Sequence, residues 1–162
     1  MKFLKATLTA TALTAFAMSA QAQDSGAYVN VGVETFEFDT YNILGRVGYN
    51  FAEYFGVEGE GSFGVIGTEE FGVDVDTDWS LGGYFVGRYP LGESFEIFGR
   101  VGYRAVNFSV EGAGSDTFDG IAYGGGLQYN FDEFNGVRLG YTGADLGVGT
   151  ADIIDLAYVR NF

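Results

Sequence analysis

The sequence predicts an all-β fold, an eight-stranded antiparallel up-and-down transmembrane β-barrel. Three observations point to it. Apolar and polar residues alternate through eight successive segments. Glycine is abundant (27 residues), aromatic residues make up 17%, and proline occurs once, a composition suited to many short strands and to rings at a membrane interface. Beyond residue 22 no stretch is long and apolar enough to span a bilayer as a helix, so a chain that enters a membrane must do so as a closed barrel with every backbone group paired.

The first 22 residues read as a secretory leader. Lys2 and Lys5 form a basic start, Ala6 to Met18 is an apolar core, and Ala20, Gln21 and Ala22 fit a small-x-small cleavage site before Gln23. The apolar core is shorter than the ~20 residues of a spanning helix. Residues 1–22 are therefore expected to be removed, and residues 23–162 to form the barrel.

The eight segments run roughly over 27–37, 41–51, 54–66, 78–90, 95–107, 117–131, 135–143 and 151–161. Their usual length is near the ~9–11 residues of a tilted spanning strand. The connections at 50–54, 90–94 and 130–134 are tight, whereas those near 66–78, 107–117 and 143–151 are longer, polar and acidic. Only the connection around 37–41 is short among this second set. Short turns at one end and longer loops at the other are the expected barrel arrangement, with both termini on the periplasmic, short-turn side.

The polarity of the alternation sets the faces. In the second segment Ile43, Gly45, Val47, Tyr49 and Phe51 share one face, and Leu44, Arg46, Gly48 and Asn50 the other. In the fifth, Ile97, Val101 and Tyr103 oppose Glu96, Arg100 and Arg104. A water-soluble barrel would turn its charges outward; here the apolar face is expected outward, toward lipid. Trp79, Tyr49, Tyr89, Tyr103, Tyr129 and Tyr158 then read as interfacial girdles.

Parity places Arg46, Arg88, Arg100, Arg104 and Arg138 inside, together with Glu34, Glu58, Glu60, Glu96 and Asp155. Five cations balance five acids there, although the whole chain carries −14. If Asn50 faces Tyr54, Arg46 falls opposite Glu58. If Pro90 faces Ser94, Arg88 falls opposite Glu96. Such pairs suit a narrow lumen, because unpaired buried charge is costly. They are expected to plug the barrel, whose interior is just wide enough to be filled by side chains. A repeat, Gly45-Arg46-Val47-Gly48-Tyr49 and Gly99-Arg100-Val101-Gly102-Tyr103, with a looser copy at Val137-Arg138-Leu139-Gly140-Tyr141, reads as an inward Arg beside an inward Gly that makes room for it.

These Gly-Arg-x-Gly-Tyr strands resemble the outer-membrane β-barrel family that includes the OmpA transmembrane domain and the OmpX-like proteins. The resemblance covers residues 23–162 and extends to Gly48-Tyr49-Asn50-Phe51, Tyr89-Pro90-Leu91-Gly92 and the terminal run Leu156 to Phe162. It implies a Gram-negative outer-membrane location reached through the periplasm, and contact with membrane lipid and lipopolysaccharide. It also implies an assembly signal in Phe162, Tyr158 and Leu156 that is read by the barrel-assembly machinery. Arg160 departs from the pattern, since the family often carries an aromatic there.

Several chemistries are disfavoured. With no Cys there are no disulfides or thiolate metal sites, and with no His the commonest general base and metal ligand is missing. Enzymes on similar barrels, such as lipid A deacylases, palmitoyltransferases and omptin proteases, rely on His, so no catalysis and no cofactor are expected. Residues 23–162 hold six Arg against 22 acids, which argues against nucleic acid. Asp74, Asp76 and Asp78 resemble the opening of a calcium loop, but Trp79 and Phe85 stand where such a loop needs Gly and Glu. A solvated acidic loop, or a divalent bridge to lipopolysaccharide phosphates, is the alternative. The expected role is a non-enzymatic structural or surface-interaction component of the envelope, with an unknown extracellular ligand bound by the loops. A small low-conductance porin of the same family is the second reading, and a soluble lipocalin-like carrier, which would need inverted faces, the third.

Overall fold

In the computed structural model, residues 26–36, 40–66, 68–70, 73–110, 114–147 and 149–162 are described, with side chains except at 66–77 and 109–114. The expected leader at 1–22 lies outside them. Nine strands follow in order: β1 (Gly26–Phe36), β2 (Thr40–Ala52), β3 (Phe55–Ile66), β4 (Thr68–Glu70), β5 (Val73–Pro90), β6 (Phe95–Val110), β7 (Gly114–Asn130), β8 (Asn135–Asp145) and β9 (Thr150–Asn161). β3 and β4 both pair with β5 and together make one stave. β1 pairs with β9 from Tyr28↔Asn161 to Phe36↔Ile153, which closes eight staves into an antiparallel up-and-down barrel. Closure leaves the membrane-spanning sheet without an edge. The first strand starts and the last strand ends at the turn end, since Gly26 pairs with Asn50 and Tyr28 with Asn161.

Alternation carries the expected faces through. Val31, Val33, Ile43, Val57, Leu81, Phe85, Val101, Leu127, Leu139 and Leu156 are exposed on the outer surface. Toward the turns this band ends in exposed rings, with Tyr54 stacked on Tyr89 and Phe95 tilted against Tyr129. Toward the long hairpins it ends in Tyr41, Phe63, Tyr103, Tyr123 and Tyr141. Trp79 is half-buried.

Two of the three expected long loops are largely strand. The 66–78 segment forms β4 and the start of β5, paired Thr68↔Val75 to Glu70↔Val73, and the 107–117 segment extends β6 and β7 to Val110↔Gly114. Acidic residues mark these stretches as polar, yet Val73, Val75, Phe108 and Val110 keep the period-two pattern that backbone pairing needs.

Both turn registers are also shifted by two residues from expectation. A one-residue irregularity between Asn50 and Ala52 sets Ala52 opposite Phe55, so Arg46 faces Glu60 and Gly48 faces Glu58. At the next turn Pro90 faces Glu96 and Arg88 faces Phe98. There the Leu91 N–H donates to the Phe95 carbonyl at 2.7 Å, and Gly92 adopts a φ of 104°, which only glycine takes without strain. The wider turn leaves Arg88 and Glu96 as diagonal neighbours, 3.6 Å apart.

Gly48 serves a different neighbour from the one expected. A Cβ there would lie 2.1 Å from Cζ of Tyr28, so the glycine admits the Tyr28 ring to the lumen and not Arg46. Gly48→Ala is expected to cost about 1–3 kcal/mol through overpacking. In urea unfolding, a Tyr28→Ala background should remove most of that penalty, because the two sites share one contact.

Candidate functional site: a buried ion-pair network in the lumen

The lumen is occupied by charge. Four arginines (Arg46, Arg100, Arg104, Arg138) and four acids (Glu34, Glu58, Glu60, Asp155) are all buried, with Arg104 at 0% exposure and Glu60 at 4%. Each reaches the axis because it occupies an inward position on a different part of the wall. Hydrogen-bonding side chains come from all eight staves.

Glu60 is the hub. One oxygen accepts from Arg46 Nε at 2.5 Å and Arg100 Nη1 at 2.6 Å; the other accepts from Arg104 Nη1 at 2.5 Å and from the Tyr84 hydroxyl at 3.3 Å. Arg104 Nη2 donates to Glu34 Oε1 at 2.6 Å and to Ser80 at 2.7 Å, while Ser62 bridges Glu34 and Ser80. Arg46 crosses to Asp155 at 2.8 Å. Arg138 donates to Glu58 and to Gln128, and Glu58 also accepts from the Tyr28 hydroxyl at 2.7 Å. Arg100 donates to Thr142 Oγ1 at 2.5 Å and stacks 4.3 Å over the Tyr84 ring.

This arrangement ties opposite walls together. Arg104 on β6 pairs with β1 and Arg138 on β8 with β3, each four staves away, while Arg46 on β2 reaches past β1 to β9. Charge-assisted hydrogen bonds of this kind are the strong ones, and they offset the desolvation of eight ions only as a complete set. Above the network, toward the long hairpins, Phe36, Val106, Leu146 and Ile153 fill the barrel with Phe108 and Phe118 packed on them. Below it lie Val86 and Phe98, and then the Arg88–Glu96 pair at the turn-end mouth.

All ten charges assigned inward by parity therefore sit on the lumen side, nine of them buried and Arg88 half-buried. The partners differ from those expected: Arg46 holds Glu60, the residue it faces, in place of Glu58, while Arg138 reaches Glu58 and Arg104 reaches Glu34 across the barrel. Parity puts Ser62 and Gln128 on the polar inner face without giving them partners, and it passes over Tyr28, Ser80, Tyr84 and Thr142. Tyr28 shares the face of Asn30 and Glu34, and Tyr84 that of Gly82 and Arg88, which was the signal available. Glu58 and Glu60 lie on one strand face, but their oxygens are engaged by guanidinium and phenol groups.

Of the calcium candidates, the side chains of Asp74 and Asp76 lie outside the described residues. Among the described residues no three acidic side chains gather as a metal site. Leu156 and Tyr158 are exposed on the outer face of β9, and the Phe162 N–H donates to the Ala27 carbonyl at 3.0 Å.

The family model for the outer membrane protein beta-barrel domain matches residues 8–162. The chain belongs to that family. Membership places this outer-membrane barrel in the bacterial outer membrane. Its fold is similar to that of the N-terminal β-barrel domain of Pseudomonas aeruginosa OprF, with a TM-score of 0.67 at 15% identity, covering 88% of this chain and 100% of that one. OprG of the same organism gives 0.63 at 12% identity over 89% and 99%. The attachment invasion locus protein Ail of Yersinia pestis, in complex with the heparin analogue sucrose octasulfate, gives 0.57 at 19% over 85% and 97%. No curated protein sequence matches the barrel significantly.

Proposed function

We infer that this outer-membrane barrel is a non-conducting, non-catalytic surface protein that works through the sheet it raises above the membrane. The observation that carries the reading is the lumen. Its cross-section is bridged by hydrogen-bonded side chains from every stave, which favours a sealed strut over the porin alternative. A sealed, His-free barrel leaves its outward and external surfaces as the means of acting on anything else.

Those surfaces are lopsided. β5, β6 and β7 run for 18, 16 and 17 residues, against 11 in β1 and β8. β8 stops at Asp145, opposite Ile121, so residues 114–120 of β7 have β6 on one side and no strand on the other among the described residues. Gly120 lies against the Asp145 carbonyl and Leu146, so the open edge is six residues, about 20 Å at ~3.3 Å each. Asn107 Nδ2 donates to Thr117 Oγ1 at 2.9 Å and Phe118 packs on Phe108, so β6 and β7 are joined by side chains as well as backbone and β7 presents a strand edge. Such an edge takes an extended segment by strand addition.

Exposed Asp116 and Asp119 flank that edge, and Asp145 and Asp152 lie near it on the outer face. The matching partner is an extended basic segment. A polyanion of the kind bound to Ail would meet like charge here.

Hydrogen–deuterium exchange of the barrel in nanodiscs tests this. A seven-residue peptide of alternating Lys and Val should slow exchange across residues 115–119, whereas a Glu–Val peptide and sucrose octasulfate should not. Unchanged exchange with the basic peptide, or equal protection by the acidic one, would contradict the reading. The expected roles of Leu156, Tyr158 and Phe162 toward the assembly machinery, and of the leader in export, belong to the same proposal. The outward placement of β9's apolar residues supports the first.

A further inference from the structure

Arg160 is the one arginine of the six that is not spent inside the barrel. It lies on the outward face of β9, opposite Asn135 and Val29, at the turn-end rim. Its guanidinium carbon sits 5.2 Å over the Phe134 ring and 6.0 Å from the Phe162 ring. Both rings are exposed on the outer surface, as is Tyr158 one outward position away. One Nη1 donor reaches Asn135 Oδ1 at 2.8 Å. Nε and Nη2 have no partner among the described residues.

The nearby acid does not claim them. Asp132 accepts from the Phe134 and Asn135 backbone N–H groups and from Asn135 Nδ2, all at 2.8 Å. The Asn135 side chain, the Phe134 N–H and more distantly Arg160 hold its carboxyl below the usual aspartate range. The network of donors turns that carboxylate into the turn, leaving the outer side of the guanidinium open.

A permanently charged, planar donor pair framed by two rings, at the level where acyl chains give way to headgroups, is complementary to a phosphate oxygen pair. We propose that Arg160, with Phe134 and Phe162 as its frame, seats the phosphate of a phospholipid headgroup in the leaflet on the turn side. The rings face the first methylenes of the lipid, and the guanidinium takes the phosphate bidentately through Nε and Nη2. The residue that breaks the aromatic pattern of the terminal strand thereby gains a specific role: it anchors the last strand to a headgroup as well as to the apolar zone.

The test uses protein extracted from membranes into maltoside micelles, which carry no phosphate. Short-chain phosphatidylglycerol, diacylglycerol and inorganic phosphate are titrated separately, read by the Nε–H resonance of Arg160 and by lipid retention in native mass spectrometry. Phosphatidylglycerol should shift the resonance and be retained, and Arg160→Gln should weaken retention about tenfold, the scale of one charge-assisted contact. Phe134→Ala should weaken it less. Equal retention of diacylglycerol, or undiminished retention by folded Arg160→Gln, would overturn the proposal. An equal shift with inorganic phosphate at the same concentration would overturn the assignment to lipid. If Arg160→Gln does not fold, the wild-type comparison of phosphatidylglycerol with diacylglycerol still decides the matter.

Discussion

Glu60→Ala should destabilise the barrel by about 3–5 kcal/mol, the range found when one member of a buried charge set is removed. The carboxylate receives Arg46, Arg100 and Arg104 at 2.5–2.6 Å, and all three guanidiniums are buried. Without it, Arg46 keeps Asp155, Arg104 keeps Glu34 and Arg100 keeps only the longer contacts to Glu58 at 3.5 Å and Asp155 at 3.9 Å, so four buried guanidiniums face three carboxylates at the centre of the lumen. Glu60→Gln retains the shape and loses only the charge, so its loss should be smaller. Glu60→Ala combined with Arg104→Ala should recover part of the loss, because the double change restores balance. Urea unfolding of vesicle-inserted protein, followed by Trp79 fluorescence, measures all three. A Glu60→Ala loss under about 1 kcal/mol, outside the range for a buried pair, would mean that the pairs are not what holds the walls together.

Leu139→Arg should cost about 2–4 kcal/mol, the penalty for a cation at the bilayer midplane of a barrel. Leu139 is exposed and stands at mid-height on β8, flanked by Leu127 on β7 and Leu156 on β9. Leu91→Arg is the depth control. Leu91 is equally exposed but lies in a turn, where the same change should cost about 0–1 kcal/mol. A soluble barrel would tolerate both or benefit from them. Equal costs at the two positions would show that the outer band does not face lipid.

Much of this architecture is written in period-two alternation. Arg46, Arg100 and Arg104 could be assigned to the lumen because each alternates with Val or Tyr on the opposite face, and a side chain's face depends only on parity. Register depends on turn geometry, which parity does not record. The irregularity between Asn50 and Ala52, and the left-handed Gly92, each moved the expected pairing by two residues while leaving every side chain on its face. The partners across the lumen are less legible still. Arg138 meets Glu58 and Arg46 meets Asp155 because the closed sheet brings distant staves within reach, a property of the whole barrel. Tyr28 and Tyr84 were hidden for another reason: tyrosine is commonest at the interfaces, and only their shared parity with Asn30 and Arg88 marks them as inward. The long hairpins were masked by acidity, which signals solvent but does not separate loop from a strand that stands in water.

Single-channel recording in a planar bilayer decides whether hydrogen-bonded charge seals the lumen. With insertion confirmed beforehand by the heat-dependent gel shift, the wild-type barrel should give no stable conductance step. A reproducible, ion-selective current through the wild-type protein would mean that the lumen is open and that the Arg–Glu network lines a path.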